Sequence, residues 1–404
     1  MKHVFLLMII LTSYVATAQH STCDGTRYTD NVFTDFTLTE AVQYGQNTTI
    51  GGNDRELFLD VYEPAGDTEE RRPVIVLAFG GSFIAGERAD LAPLCESYAR
   101  KGFVAVTIDY RIFDGPLFPF PDAAVLQDVV VRAIGDMRAS VRFLKEDAAN
   151  ENLFRIDPDF IMVGGVSAGA ITALHAAVLD ETDPIPETLL ASIEANGGFE
   201  GNSSDNFEFD SDVIGIINFS GALNNVTLYD DNDPPVFSVH DDGDTVVPFG
   251  DGFATIMGFP IAPLEGSAEI HRFVDSLGIQ NALVTIENSN GHVSYFGDPA
   301  TTVDILDQSS VFMESLICGT ILSTENLQLA NTTIFPNPAT DRINIESETP
   351  VGYVSLYNMT GQLVNNWTQE TILDIADVQG GQYMLQIRDN QNEIISVNKI
   401  LIVD

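Results

Sequence analysis

Between Leu57 and Leu316, short apolar runs alternate with helical stretches, and that alternation restricts the chain to very few folds. The apolar runs are Val74–Phe79, Val104–Ile108, Phe160–Val163, Val213–Phe219, Val236–His240 and Leu283–Ile286, each four to seven residues long and rich in Val, Ile and Phe. Runs that are apolar throughout predict strands buried on both faces. Between them the spacing predicts helices over Arg88–Lys101, Asp122–Asp147, Ala168–Leu179, Gly266–Leu277 and Val303–Cys318. The expectation is an α/β domain over residues 19–318, a mostly parallel sheet covered by helices on both faces. Asp180–Asp212 and Asn224–Asp233 are polar and acidic, and read as surface loops or a small cap over the sheet's C-terminal edge. The pattern breaks in a linker over residues 319–332. Residues 333–404 then show short alternating runs and no helical period, which predicts a small all-β sandwich.

Charge narrows the function. The 404 residues hold 18 Lys and Arg against 59 Asp and Glu, a net charge of −41. Such a field repels phosphate, which excludes nucleic-acid binding and disfavours anionic membrane surfaces. With 25 Phe and 11 Tyr the chain buries too much surface to be disordered. Lys2 and His3, the apolar run Val4–Leu11 and the small-x-small site Ala16-Thr17-Ala18 read as a signal peptide over residues 1–18, with cleavage before Gln19. No later stretch is apolar over the ~18 residues a membrane-spanning helix needs, so stable insertion is not expected. The expected location is extracellular or cell-surface. Cys23, Cys95 and Cys318 remain after cleavage, enough for one disulfide and one free thiol in an oxidising compartment. Their spacing fits no zinc site, no acidic loop has calcium-site spacing, and no metal is expected.

The chemistry concentrates at turns. Gly165-Val166-Ser167-Ala168-Gly169 follows one expected strand and opens the next helix. Such a turn raises its serine above the sheet, and the Ala168 N–H at the helix start faces a developing oxyanion. Upstream, Val74–Phe79 runs into Gly80-Gly81-Ser82-Phe83, where side-chain-free backbone allows a second donor to approach. A serine needs a base held by an acid. Of six histidines, His3 leaves with the signal peptide, His20 is terminal, and His175 and His271 fall in expected helices. His292 follows the last expected strand. His240 ends the strand before it, four residues ahead of Asp244. Asp244 is favoured over Asp241 and Asp242 because Gly243 allows a tight turn, the other two then facing solvent. The order Ser167, Asp244, His292 is that of an α/β-hydrolase triad.

These segments resemble the carboxylesterase branch of the α/β-hydrolase superfamily. The resemblance rests on Gly80–Gly86, Asp109-Tyr110-Arg111, Arg155-Ile156-Asp157-Pro158, Gly164–Gly169, His240-x-x-x-Asp244-x-x-Val247-Pro248 and Gly291-His292, in order across Leu57–Cys318. It implies a serine ester hydrolase working through an acyl-enzyme without a cofactor, on an ester that is small or polymer-linked. By the same resemblance Gly81, Ser82 and Ala168 donate oxyanion N–H groups, and Asp109 and Arg111 brace the loops. The hormone-sensitive-lipase-like branch has His where this chain has Phe79, and Gly where it has Ser82. Phe83, Phe118 and Phe120 are either an aromatic acyl pocket or core. A peptidase on the same fold and a non-catalytic adhesin are the alternatives. Helices after the oxyanion strand and at the end of such domains commonly share a face of the sheet, which favours a Cys95–Cys318 disulfide with Cys23 free. The tail, through Phe335-Pro336-Asn337-Pro338, Val354–Gln362, Gly381-Gln382-Tyr383 and Lys399-Ile400, resembles the C-terminal sorting domain of type IX (Por) secretion. That implies the type IX machinery as a partner; a carbohydrate-binding sandwich is the alternative.

Overall fold

The computed structural model describes residue 20 and residues 22–118, 120–256, 258–319, 327–328, 332–347, 349–358, 363–376, 378–389 and 394–403. The expected signal peptide and most of the expected linker lie outside the described residues. The chain divides into two compact units, Met1–Ile321 and Leu322–Asp404.

In the first unit the elements run β1 (Phe36–Thr48), β2 (Asp54–Pro64), β3 (Arg72–Ala78), α1 (Ala92–Lys101), β4 (Val104–Ile108), α2 (Ala123–Ala149), β5 (Ile156–Val166), α3 (Ala168–Val178) and α4 (Glu187–Ala195). There follow β6 (Ile216–Phe219), β7 (Ala222–Leu223), β8 (Val236–Asp241), β9 (Asp251–Ile256), β10 (Phe259–Gly266), α5 (Ser267–Leu277), β11 (Asn281–Ile286) and α6 (Pro299–Cys318). Eight strands form one sheet in the order β1-β2-β4-β3-β5-β6-β8-β11. From β4 to β11 the pairing is parallel, as the alternation requires. Every position of β3, β4, β6 and β8 is buried, so helices cover both faces.

Three features were not legible. The antiparallel ribbon β1–β2 extends one edge, and most of β1 is exposed, so it carries no apolar run. The acidic segment 180–212 holds α4. Asp251–Ile256 and Phe259–Gly266 pair antiparallel as the hairpin β9–β10, which joins β7 in a separate three-stranded sheet.

The second unit has a five-stranded sheet, β12 (Leu327–Gln328), β19 (Ile394–Ile402), β18 (Gly381–Asp389), β15 (Val351–Asn358) and β16 (Leu363–Thr368). A three-stranded sheet of β13 (Thr332–Phe335), β14 (Arg342–Ser347) and β17 (Ile372–Asp374) completes it. Inward residues of both sheets, among them Ile343, Leu373, Leu356 and Leu385, form one core, the alternation of an all-β sandwich.

The disulfide differs from the expectation: Cys23 is bonded to Cys318, and Cys95 is free and buried. The premise about the two helices holds, since Tyr98 of α1 meets Ser309 of α6 at 2.8 Å and Lys101 meets Asp307 at 2.7 Å. That contact lies nine residues before Cys318, roughly 14 Å along a helix axis. Cys95 meanwhile faces the core. The N-terminal segment runs instead to the end of α6, where the His20 N–H bonds the Ile317 carbonyl at 3.3 Å, and so delivers Cys23.

The bridge closes a loop with a sequence separation of 295, which strongly restricts the unfolded chain. Unreduced peptide maps should join the Cys23 and Cys318 peptides, and Cys95 should alkylate only after denaturation. Cys23→Ser should destabilise the first unit by about 2–5 kcal/mol in urea unfolding. A Cys95-containing bridge in those maps contradicts this pairing.

Candidate active site

The site is set by a backbone contact that leaves no room for side chains. β5 runs into α3 through Ser167, held at φ 55° and ψ −116°, with its N–H bonded to the Phe219 carbonyl at 2.8 Å. A left-handed φ is costly for serine and survives only where the surroundings impose it. A Cβ on Gly169 would lie 2.0 Å from the Ala78 carbonyl oxygen, and one on Gly165 would lie 2.4 Å from the Gly169 carbonyl carbon. Glycine on each side therefore lets β3, β5 and α3 close around the turn.

The loop after β3 is equally constrained. Gly81 has φ 119°, and a Cβ there would sit 2.2 Å from the Ala85 carbonyl oxygen. Ser82 and Phe83 follow at φ 57° and 60°. Tyr110 Oη donates to the Phe79 carbonyl at 2.7 Å, and the Phe113 N–H donates to the Phe83 carbonyl at 2.7 Å, bracing both ends. A Cβ on Gly80 would lie 3.4 Å from Ser167 Cβ, so this loop passes directly beside the serine. The N–H groups of Gly81, Ser82 and Ala168 bond no acceptor among the described residues. Of the neighbouring pair, Asp109 takes Arg88 at 2.9 Å, and buried Arg111 takes buried Asp136 at 2.8 Å.

Ser167, His292 and Asp244 meet. Ser167 Oγ lies 2.7 Å from His292 Nε2, and His292 Nδ1 donates to Asp244 Oδ2 at 2.6 Å. The Asp244 side chain is fully buried, which by itself raises its pKa. Hydrogen bonds from His240, His292 and the Val246 N–H outweigh that burial and hold the carboxyl at about 2. The other loop aspartates have separate tasks. Asp242 is exposed and accepts the Asn288 and Ser289 N–H groups at 2.8 and 2.9 Å. Asp241, expected at the surface, is fully buried and accepts the Ser294 N–H at 3.0 Å, anchoring the loop that carries His292.

A cavity of about 660 Å³ opens at Ser167, walled by Phe83, Val131, Ile171, Leu189, Val246 and Leu264. Its walls come from the start of α2, from α3 and α4, and from β9–β10. Phe83 lines it. Phe118 does not, being 95% exposed, and Phe120 is half-buried outside the lining; neither forms an acyl pocket or a core. Sequence reasoning missed the hairpin wall. Its signal was present: two apolar runs flank Gly258, whose φ of 81° makes the turn. No group of three acidic, His or Cys side chains suited to a metal occurs among the described residues, and no helix there is long and apolar enough to cross a membrane.

Residues 59–232 match the family model named BD-FAE, and residues 333–403 match that of the secretion system C-terminal sorting domain. Lipase 2 of Geotrichum candidum is 32% identical over 138 residues, which is 32% of this chain and 23% of that protein. Esterase LipC of Mycobacterium tuberculosis is 29% identical over 157 residues, 37% of this chain and 35% of that one. The chain thus spans well under half the length of these curated relatives. Among solved structures, a Thermogutta terrifontis esterase with propionate bound covers 70% of this chain and 96% of its own at 21% identity, TM-score 0.48. A truncated carbohydrate esterase from gut microbiota covers 70% and 98% at 18% identity, TM-score 0.48.

Beside the acid loop, α5 carries buried His271 against β8. Burial lowers its pKa from 6.5 to about 4, against the opposing pull of Asn281 and Asp275. The folded state therefore prefers the neutral ring, and the unfolded chain takes up the proton between pH 6.5 and 4. Stability falls as pH drops through that window, by roughly 3 kcal/mol in all at ~1.36 kcal/mol per unit. Asp233 acts oppositely: burial, with Asp230, Asp180 and Asp183 nearby, raises it to about 7. The quantity to measure is therefore the difference between parent and His271→Gln in denaturant unfolding. The variant should lose less stability than the parent between pH 6.5 and 4; equal losses contradict the assignment.

Proposed function

We propose that this chain is an exported serine carboxylic-ester hydrolase, a reading supported by the match of residues 59–232 to the BD-FAE model and of residues 333–403 to the secretion system C-terminal sorting domain. The observation that carries the reading is the Ser167–His292–Asp244 chain, with contacts of 2.7 and 2.6 Å, at the mouth of an apolar cavity. Ser167 Oγ attacks the ester carbonyl as His292 Nε2 takes its proton, and Asp244 orients and stabilises the imidazolium. The N–H groups of Gly81, Ser82 and Ala168 receive the negative charge on the carbonyl oxygen. His292 then returns the proton to the departing alcohol, and water, deprotonated by His292, releases the acid from Ser167.

The apolar walls suit the acyl part of an ester, while the alcohol faces solvent and is free to be small or polymer-borne. The lipase and esterase names of the relatives support the same reaction class. The signal-peptide pattern and the tail support export through the type IX machinery, with the product at the cell surface or in the medium.

A fluorophosphonate reagent tests the reading directly. The parent should be labelled at Ser167 and hydrolyse p-nitrophenyl esters, and Ser167→Ala should do neither; an unlabelled, folded parent points to the adhesin alternative, and cleavage of aminoacyl amides in preference to esters points to the peptidase. Asp244→Asn should lower kcat by at least ~10², equivalent to ~2.7 kcal/mol of barrier. Asp242→Asn, whose carboxylate serves the Asn288 turn, should stay within a few-fold of the parent; the reverse result reassigns the acid. Intact-mass measurement of the exported protein should give an N-terminus near Gln19 and a fraction lacking the tail. Only full-length, uncleaved chain in the medium would count against the sorting reading.

A further inference from the structure

Asp244 receives two imidazoles. Besides His292 it has His240, whose Nε2 lies 3.3 Å from the same oxygen, Oδ2, that accepts from His292. His240 is fully buried at the end of β8, with the Phe249 ring edge-on at 5.6 Å. Its Nε2 also lies 3.1 Å from the Val247 carbonyl, which only accepts, so Nε2 carries a proton and shares it between that carbonyl and Asp244. Its Nδ1 lies 2.8 Å from Ser267 Oγ.

The partners of Ser267 fix the direction of that bond. Asn218 Oδ1 accepts the Gly221 N–H at 2.7 Å, so its Nδ2 donates, to Ser238 Oγ at 2.8 Å and to Ser267 Oγ at 3.1 Å. Ser267 therefore turns its own proton toward His240 Nδ1. Beyond Ser238 the chain continues to His271 Nε2 at 2.7 Å and from His271 Nδ1 to Asn281 Oδ1 at 2.7 Å. Asn281 Nδ2 donates to Asp275, which fixes the amide. From the exposed Asp275 to Asp244 each proton has one place, and His240, Ser267, Asn218 and Ser238 have no exposed surface. A fully satisfied buried network of this kind is rigid, because any reversed member leaves a donor facing a donor.

We propose that His240 is a positioning residue for the triad: it holds the Asp244 carboxylate in the plane that meets His292, with Ser267 and Asn218 as its support. This rests on the esterase reading above. The backbone N–H groups of Val246 and Val247 donate to Asp244 Oδ1 at 2.8 and 3.1 Å and fix it, while Oδ2 lies against His240 as well as His292. Without His240, Oδ2 is held only by His292, the ring that the carboxylate has to orient. Small displacements of a catalytic group are costly to the chemical step and leave ground-state binding alone.

The test uses the full chain, with active sites counted by fluorophosphonate labelling. His240→Leu should lower kcat per labelled site by roughly 10- to 100-fold with KM unchanged, and slow phosphonylation of Ser167 alike. His240→Gln, whose amide N–H reaches toward the same carboxylate oxygen, should recover most of that loss. Ser267→Ala should lower kcat a few-fold without changing core volume, and decides the matter if His240→Leu does not fold. Folded His240→Leu with kcat within twofold of the parent, or Gln no better than Leu, overturns the proposal, as does an unchanged kcat in Ser267→Ala when Leu fails to fold. An unlabelled parent refutes the esterase reading instead, so the two failures are distinct.

Discussion

The site depends on a contact between backbones at the Ala78 carbonyl. Gly169 approaches it so closely that a methyl group would overlap it, and Gly165 backs onto Gly169 from the strand side. This packing draws α3 down onto β3 and β5 and forces Ser167 into a left-handed φ. It also brings the loop after β3 beside the serine, because β3 and β5 are neighbours in the sheet. One sterically exclusive contact thus fixes Ser167, the helix N-terminus beside it and the candidate oxyanion loop together. Strain at the turn is offset by the buried sheet around it, which has no softer element to deform.

The acid–base half is held differently, by buried hydrogen bonds. Asp241 ties the His292 loop, Asp242 ties the turn after β11, and Asp244 lies between two imidazoles. Three aspartates close in sequence thus fix three separate segments. For buried Asp241 and Asp244 the cost of burial is met by specific donors, which is why Asp244 keeps its charge. An unpaired carboxylate there would take up a proton and could no longer hold an imidazolium.

The same logic accounts for the charge balance. The chain has few cations, and several are structural: Arg72 meets Glu63, Arg111 meets Asp136, Arg142 meets Glu200, and Arg138 donates to the carbonyls of Ala176 and Phe199. Arginine suits this work because its planar fork satisfies several acceptors at once. With so much of the positive charge spent inside, the surface is left strongly acidic. A net charge of −41 is therefore a property of the exterior more than of the core.

Much of this was legible in the residues. Apolar runs such as Val74–Phe79 announce central strands because burial on both faces leaves no polar position. The Gly-x-Ser-x-Gly turn, and the order Ser167, Asp244, His292, follow from steric and chain-order requirements written locally. The sandwich of the tail shows in its period-two alternation. Other features depend on contacts between distant segments. The Cys23–Cys318 bond follows from where the N-terminal segment lies along α6, and no spacing records that. The exposed strand β1 lacks a local signature, since pairing with its neighbour defines it, and the hairpin β9–β10 shows only as two apolar runs about Gly258, which do not record that it joins β7. That His240 rather than solvent faces Asp244 was decided by the register of β8 against α5, which places Ser267 behind the ring. Sequence determined which segments are buried and which turns are strained, because those are short-range demands on side-chain size and polarity. Tertiary structure alone decided which buried polar groups meet, because a hydrogen bond depends on distances of a few ångströms between residues far apart in the chain.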